Sequence, residues 1–338
     1  MSEKDGARGS SVGGQAVLEG VMMRSPQGAA VAVRAPEGDI VARRLETPLI
    51  GDRGDIWKKP VFRGAATLID TLRLGLAGLN WSAEIIEESQ GKTSSGFSGF
   101  LSTAAAVVLA VAIFAWLPLQ ASMWTVGESS QMAIHLLAGV YRVAAFFLYI
   151  AAISLMPDVR RLFAYHGAEH QTIHAFERSL SAGGEEDPRR LADEAAAQSP
   201  LHQRCGTSFL LLVMLATIVF YAVLDTAVVV AFGHAPGAAL RILYHLPLIP
   251  LVLGLSYEVL KLADRHLETS AVARAVTAPG LLLQRLTTRK ADREMVEVAI
   301  ASLRLSLGEE PLPGVRIAGS GGSSKEEEED EEGNRSDG

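Results

Sequence analysis

The sequence predicts an α-helical integral membrane protein, with four transmembrane helices, a small N-terminal β-hairpin unit and helices on the cytoplasmic face. Three observations predict it. The 338 residues are 49% hydrophobic with a mean hydropathy of +0.22, although 20% of them are charged. Those charges are segregated from four charge-poor apolar runs, each near the roughly 20 residues that a helix needs to cross a bilayer. Lysine and arginine, in turn, gather in alternate connections between the runs.

Residues 1–12 form a polar, Gly/Ser-rich leader, expected to be disordered and lacking the apolar core of a cleavable signal peptide. Residues 13–95 are expected to form a cytoplasmic unit, a β-hairpin followed by an amphipathic helix. "GGQAVLEGVMMRSP" is one strand-like run ending at Ser25-Pro26. "AVAVRAPEGDIVARRLE" alternates apolar and polar residues on both sides of the turn signal "PEGD", which predicts the hairpin. After "KKPVFRG", Leu68, Leu72, Leu76 and Leu79 follow helical spacing. They predict a helix with one face on the hairpin or the membrane surface.

Residues 96–263 make the four-helix membrane domain. Its crossings are expected at 100–120, at 134–156 with Arg142 inside, at 207–232 with Asp225 towards the far end, and at 243–263 with Pro247, Pro250 and Glu258. The connections after the first and third crossings contain only Arg241. The middle connection carries Arg160, Arg161, Arg178, Arg189, Arg190 and Arg204. The positive-inside rule therefore places that connection, both flanking polar regions and both termini in the cytoplasm, in a multi-pass protein of the cell membrane.

Residues 264–308 are expected to form interfacial and terminal helices. "TSAVARAVTAPGLLLQRLTT" is apolar but interrupted at Pro279-Gly280, which predicts a helix–turn. Thr288 then N-caps a last helix through Leu305, with Met295, Val298, Ala299 and Leu303 as its stripe. Residues 309–338 are expected to be a disordered acidic tail. From Lys325 onward that tail holds eight acidic and two basic residues, so the formal charge of -7 leaves the rest of the chain near -1. No nucleic-acid footprint is indicated. Cys205 is the only cysteine, so an internal disulfide is excluded.

The chemistry concentrates in the insertion at 158–206, where "YHGAEHQTIHAFE" packs His166, Glu169, His170, His174 and Glu177 into three helical turns. On a helical wheel with His166 at zero, Glu169 falls near -60°, His170 near +40°, His174 near +80° and Glu177 near +20°. The i,i+4 histidine pairs have the spacing with which one helix donates two imidazoles to one metal. His166 and Glu177 are roughly 16 Å apart along the axis, too far for all five groups to reach one ion. Either some bind while others support, or there are two metals.

Further donors come from "HQRCGTS", before the third crossing on the same face: His202 and Cys205, whose thiolate suits zinc or iron. Cys205 equally reads as a small apolar residue at a helix entrance, with Thr207 or Ser208 as the cap, or as a nucleophile beside a histidine. His266, beyond the fourth crossing, is another candidate. "HGAEH" matches the inverted zinc-peptidase pattern H-x-x-E-H, a weak signal in which the glutamate activates water. Glu19 and Arg24 are candidate contacts or a surface ion pair, and Glu258 needs a partner such as Lys261.

Taken in order, "GGQAVLEGVMMR", "PVFRG", "HGAEHQTIHAFE", "HQRCGTSF" and "PGLLLQRLTT" resemble the YqhQ-like bacterial membrane proteins, from about Gly13 to Leu307. The resemblance implies a metal-dependent enzyme whose reaction is not established. It transfers motif membership to His166, Glu169, His170, His174, His202 and Cys205. The expectation is metal-assisted hydrolysis with a divalent metal, zinc. His166 and His170 are ligands, Cys205 or His202 completes the site, and Glu169 is the general base. Rival readings are a membrane scaffold or assembly factor with a structural metal, and an ion or metal transporter using Glu258, Asp225 and Arg142. The expected partners are the lipid bilayer and membrane or cytoplasmic proteins.

Overall fold

Small apolar residues in the first 45 positions build a sheet of more strands than the expected hairpin and the strand-like run before it. The computed structural model describes residues 12–50, 54–90, 96–127, 131–182, 188–203, 205–234, 237–267, 269–310 and 312–318. Strands β1 (Gly13–Val17), β2 (Gly20–Ser25), β3 (Gly28–Arg34) and β4 (Ile40–Leu45) pair antiparallel in that order. The strand-like run before Pro26 is thus two strands, joined at Leu18-Glu19. Glu19 takes a left-handed φ of 52° there. A fifth strand, β5 (Val315–Ile317), adds parallel to β4. It arises within the stretch expected to be a disordered tail; residues 319–338 lie outside the described residues. Val12, expected in the leader, is buried in the core, while residues 1–11 are outside the described set.

Both faces of this sheet are covered, which explains why "AAVAV" at 29–33 is continuously apolar and buried. Val21, Met23, Ala30, Ala32 and Ala42 face α10 (Arg293–Ser306) and α5 (Pro157–Ala182). Val17, Met22, Val31, Val33 and Val41 face Leu74 and Trp81 of α1 (Phe62–Gln90). The hydroxyl of Ser302 on α10 accepts from the Met23 amide and donates to the Ala30 carbonyl, both at 3.0 Å. Of the two placements expected for the stripe on α1, the sheet is not the one taken: Leu72, Leu76 and Leu79 are exposed, and Leu74 with Gly75 and Gly78 meets the sheet.

Four helices are long and apolar enough to cross a membrane, over Thr103–Val126, Met132–Ile153, Gly206–Phe232 and Leu243–Arg265. The first comprises α2 (Gly96–Val111), a π turn at Ala112–Trp116, and α3 (Leu117–Val126). The others are α4 (Gln131–Ile153), α7 (Gly206–Phe232) and α8 (Ala238–Arg265), which keeps Pro247 and Pro250 inside it. Trp124, Leu148, Val230 and Leu243 are among many large apolar side chains exposed on these helices. Such a surface is costly in water and ordinary in lipid.

Between them, α5 follows α4 after three residues, α6 (Pro188–Ala197) packs beside it, and a loop leads into α7. The segment around Pro279 corrects an expectation. It is one continuous helix, α9 (Ala271–Thr287), with Pro279 inside it and Gly280 at the point where α9 crosses α7 against Ser208. Thr288 ends α9, and Asp292 caps α10 by accepting from the Met295 amide at 2.8 Å.

The segment after α9 crosses α5 at Gly167, where a Cβ would overlap the Arg289 carbonyl. Arg289 donates its amide to the Phe163 carbonyl at 2.9 Å beside this crossing. Gly167→Ala should therefore cost about 1–3 kcal/mol of stability. A thermal melt in detergent should show the loss; an unchanged midpoint would mean that the segment yields without cost.

Candidate metal centre

Helix α5 opens with Pro157, suited to a first turn whose amides have no partner, and Asp158, which complements the positive helix end. It then presents His166, His170 and His174 at successive i,i+4 positions towards the loop before α7. Each ring has one nitrogen on a backbone carbonyl. His166 Nδ1 lies 2.8 Å from Thr287 O, His170 Nδ1 2.6 Å from Pro200 O, and His174 Nε2 2.9 Å from Leu201 O. A carbonyl only accepts, so these nitrogens carry the protons and, in neutral imidazoles, the opposite ones present bare lone pairs. Metal-ligating histidines are oriented in this way.

The bare nitrogens converge. His166 Nε2 is 3.2 Å from Cys205 Sγ. His170 Nε2 is buried without a hydrogen-bond partner. Donor atoms of His166, His170 and Cys205 all lie within 4.8 Å of one another. Nitrogen and sulfur ligands of a tetrahedral ion at about 2.0–2.3 Å would be roughly 3.5 Å apart, so the group fits a metal with small adjustment. Burial holds the His170 imidazole below its ordinary pKa, favouring the neutral form that a ligand needs.

Cys205 is itself the N-cap of α7, accepting from the Thr207 amide at 3.4 Å. The positive end of the helix dipole thus lies at its sulfur. The expected caps, Thr207 and Ser208, are already inside the helix.

A second group lies alongside: donor atoms of His174, Glu177 and His202 also fall within 4.8 Å of one another. His202 Nε2 is 3.9 Å from a Glu177 oxygen, and the rings of His202 and His174 are 4.7 Å apart. The His170 and His202 rings, 5.6 Å apart, link the two groups. The polar face of α5 is therefore divided between two triads, as its length along the axis requires.

Glu169 belongs to neither triad. It is 5% exposed and packs against Gly14 of β1. Burial pushes its carboxyl up to about 7, against the charge of His166 and the Gly14 amide, which act in the opposite direction.

The other candidates lie elsewhere. Glu19 pairs with Arg161 and accepts from the Tyr165 hydroxyl at 3.4 Å, where Arg24 was the expected partner. Arg24 is half-buried on β2 opposite Gly13 and Ala29. Glu258 takes a bidentate pair from Arg63 at 2.7 and 2.5 Å and the Val61 amide at 3.3 Å, displacing Lys261 as its expected partner. His266 is exposed at the end of α8, with Nδ1 on the Leu262 carbonyl.

Two glutamines escaped sequence reasoning. Gln284, fully buried on α9, accepts from the His202 amide at 2.8 Å and donates to the His202 carbonyl at 2.7 Å. Gln171 ties α5 to the carbonyls of Ala195 and Ala196 and to the Ala291 amide. An amide side chain has no motif of its own. The only hint was position, one residue after His170 and within "PGLLLQRLTT".

Fold and centre together define a largely helical chain with four membrane-competent helices, a small sheet and two residue groups that could hold a metal. The chain belongs to the family described as protein of unknown function (DUF1385), which matches residues 59–309. It is similar to "Uncharacterized protein YqhQ" of Bacillus subtilis (strain 168), with 32% identity over 317 residues that cover 89% of this chain and 93% of that protein. No solved structure matches it.

Gln284→Ala leaves the buried amide and carbonyl of His202 without these partners. The expected cost is about 1–3 kcal/mol for each group that water does not reach. Chemical denaturation of the metal-free protein should show it, and equal stability would place Gln284 outside the support of the centre.

Proposed function

We propose that this chain is a metal-dependent enzyme of the cell membrane that performs hydrolysis at a zinc centre on the cytoplasmic edge of the bilayer. The observation that supports it is the triad of His166 Nε2, His170 Nε2 and Cys205 Sγ, three converging donors. Catalytic zinc sites take three protein ligands and keep one position open, and mixed nitrogen and thiolate donors suit zinc. When bound, such an ion supplies Lewis acidity and makes water a nucleophile at neutral pH. The carbonyls of Thr287 and Pro200 hold the protons on the far side of the two imidazoles. Glu169, outside the triad but buried within electrostatic reach of His166, would serve as proton acceptor. His174, Glu177 and His202 would hold a second ion.

The rival reading, a scaffold or assembly factor with a structural metal, draws on burial. His170 is 1% and Cys205 7% exposed, and the triad ties α5 to the start of α7. For transport, Arg142 and Asp225 line one cavity that does not include Glu258.

The membrane reading follows from the four apolar helices and from arginines gathered in the segment between α4 and α7. A cysteine at the exposed His234 should react with a membrane-impermeant maleimide in intact cells. One at the exposed Ser199 should react only after lysis. The reverse pattern would invert the orientation.

Metal analysis tests the centre. Protein kept free of chelator should carry stoichiometric zinc, and His170→Ala should lose most of it; absence of metal from the wild type ends the proposal. Glu169→Gln should keep the metal and lose cellular function if the centre is catalytic. Full function in that variant favours the structural reading.

A further inference from the structure

A second polar cluster sits at the other end of the apolar helices. Asp225 of α7 lies 19 residues beyond Gly206, about 28 Å along the helix from the metal centre. Its carboxylate is 2% exposed and surrounded by donors. Oδ1 accepts from the Tyr244 hydroxyl and from His245 Nε2 at 2.8 Å. Oδ2 faces His135 Nε2 at 3.3 Å and Arg241 Nε at 3.9 Å. Oδ1 thus accepts two hydrogen bonds, while His135 Nε2 and Arg241 Nε face Oδ2 without hydrogen-bonding to it. Asp225 is thus already surrounded by donor groups of α4 and α8. Its role is to hold three helices' polar groups in place, helped by the Tyr221 ring stacked on His245 at 4.0 Å.

Asp225, His135, Arg241, His245 and Tyr221 line a cavity of about 430 Å³ that also takes in Arg142 of α4. Arg142 lies at the middle of its helix, eleven residues from either end. Its Nε donates to the Phe114 carbonyl at 3.2 Å, inside the π turn that interrupts the first apolar helix. Such turns recur at functional sites because they redirect backbone groups. Among the described residues, no carboxylate lies within ion-pair distance of Arg142. The lining thus holds two guanidinium groups against one carboxylate, and Leu119, Met214 and Ile218 supply an apolar wall. A cation this deep in an apolar bundle is costly without a counter-charge.

We propose that this cavity binds the phosphate group of an anionic amphiphile, with Arg142 as its principal contact and the apolar wall against its chain. A phosphate offers acceptors to the guanidinium fork, and one surplus positive charge in the lining matches it. The site is separate from the metal centre. It rests on the membrane reading, which is tested on its own by whether the chain stays in solution without detergent.

The experiment uses the purified full chain in a neutral detergent. Dioleoyl phosphatidate is titrated in one arm and inorganic phosphate in the other, with bound ligand counted by native mass spectrometry. Saturable phosphatidate binding that weakens about tenfold or more in Arg142→Gln supports the proposal with a lipid as source. The same pattern with inorganic phosphate supports it with free phosphate as source. Thr217→Phe fills the cavity without touching a charge and should weaken binding as strongly, which decides the matter if Arg142→Gln does not fold. Absence of saturable binding to either probe, or equal affinity in wild type and both variants, overturns it.

Discussion

A neutral imidazole has one donor nitrogen and one acceptor, and along α5 the donors of three successive histidines are taken by backbone carbonyls. That constraint organises the centre. It aims His166 and His170 at Cys205, and it makes the geometry depend on where Pro200, Leu201 and Thr287 place their carbonyls. Two of those carbonyls belong to the loop before α7 and the third to the end of α9. The histidine helix alone does not make the site; three separate stretches of chain must be in position first.

Buried hydrogen bonds join those stretches across the apolar core. Gln284 clamps the His202 backbone from α9, and Gln171 joins α5, α6 and the segment before α10. Gly167 permits that segment to cross α5 at backbone contact. The sheet, covered on both faces, supplies the rigid floor on which α5 and α10 lie. Such a frame has the preorganisation that a metal ligand set needs, and an ion bound there would in turn stabilise the fold.

The two ends of α7 use polarity differently. At its start, donors converge with lone pairs bare, an arrangement that fits a cation. Near its end, a single carboxylate is surrounded by donors while Arg142 lines the same cavity. The same helix therefore joins a cation-fitting centre to an anion-fitting one. About 28 Å of helix separates them.

Much of this was legible in the chain itself. The four apolar runs, the spacing of His166, His170 and His174, and the gathering of arginines in one connection are local properties, carried by neighbouring residues whatever the rest does. Helical periodicity likewise showed that one ion cannot take every polar group on α5. Tertiary structure decided the rest. It made Cys205 the helix cap in place of Thr207 or Ser208 and recruited residues 315–317 into the sheet. It packed Glu169 against Gly14, outside both triads. It also gave Glu258 to Arg63, 195 residues away, when Lys261 was three residues off. The reason is physical: spacing along a helix determines which side chains share a face, but a buried polar group must take whichever partner the folded chain brings within about 3 Å.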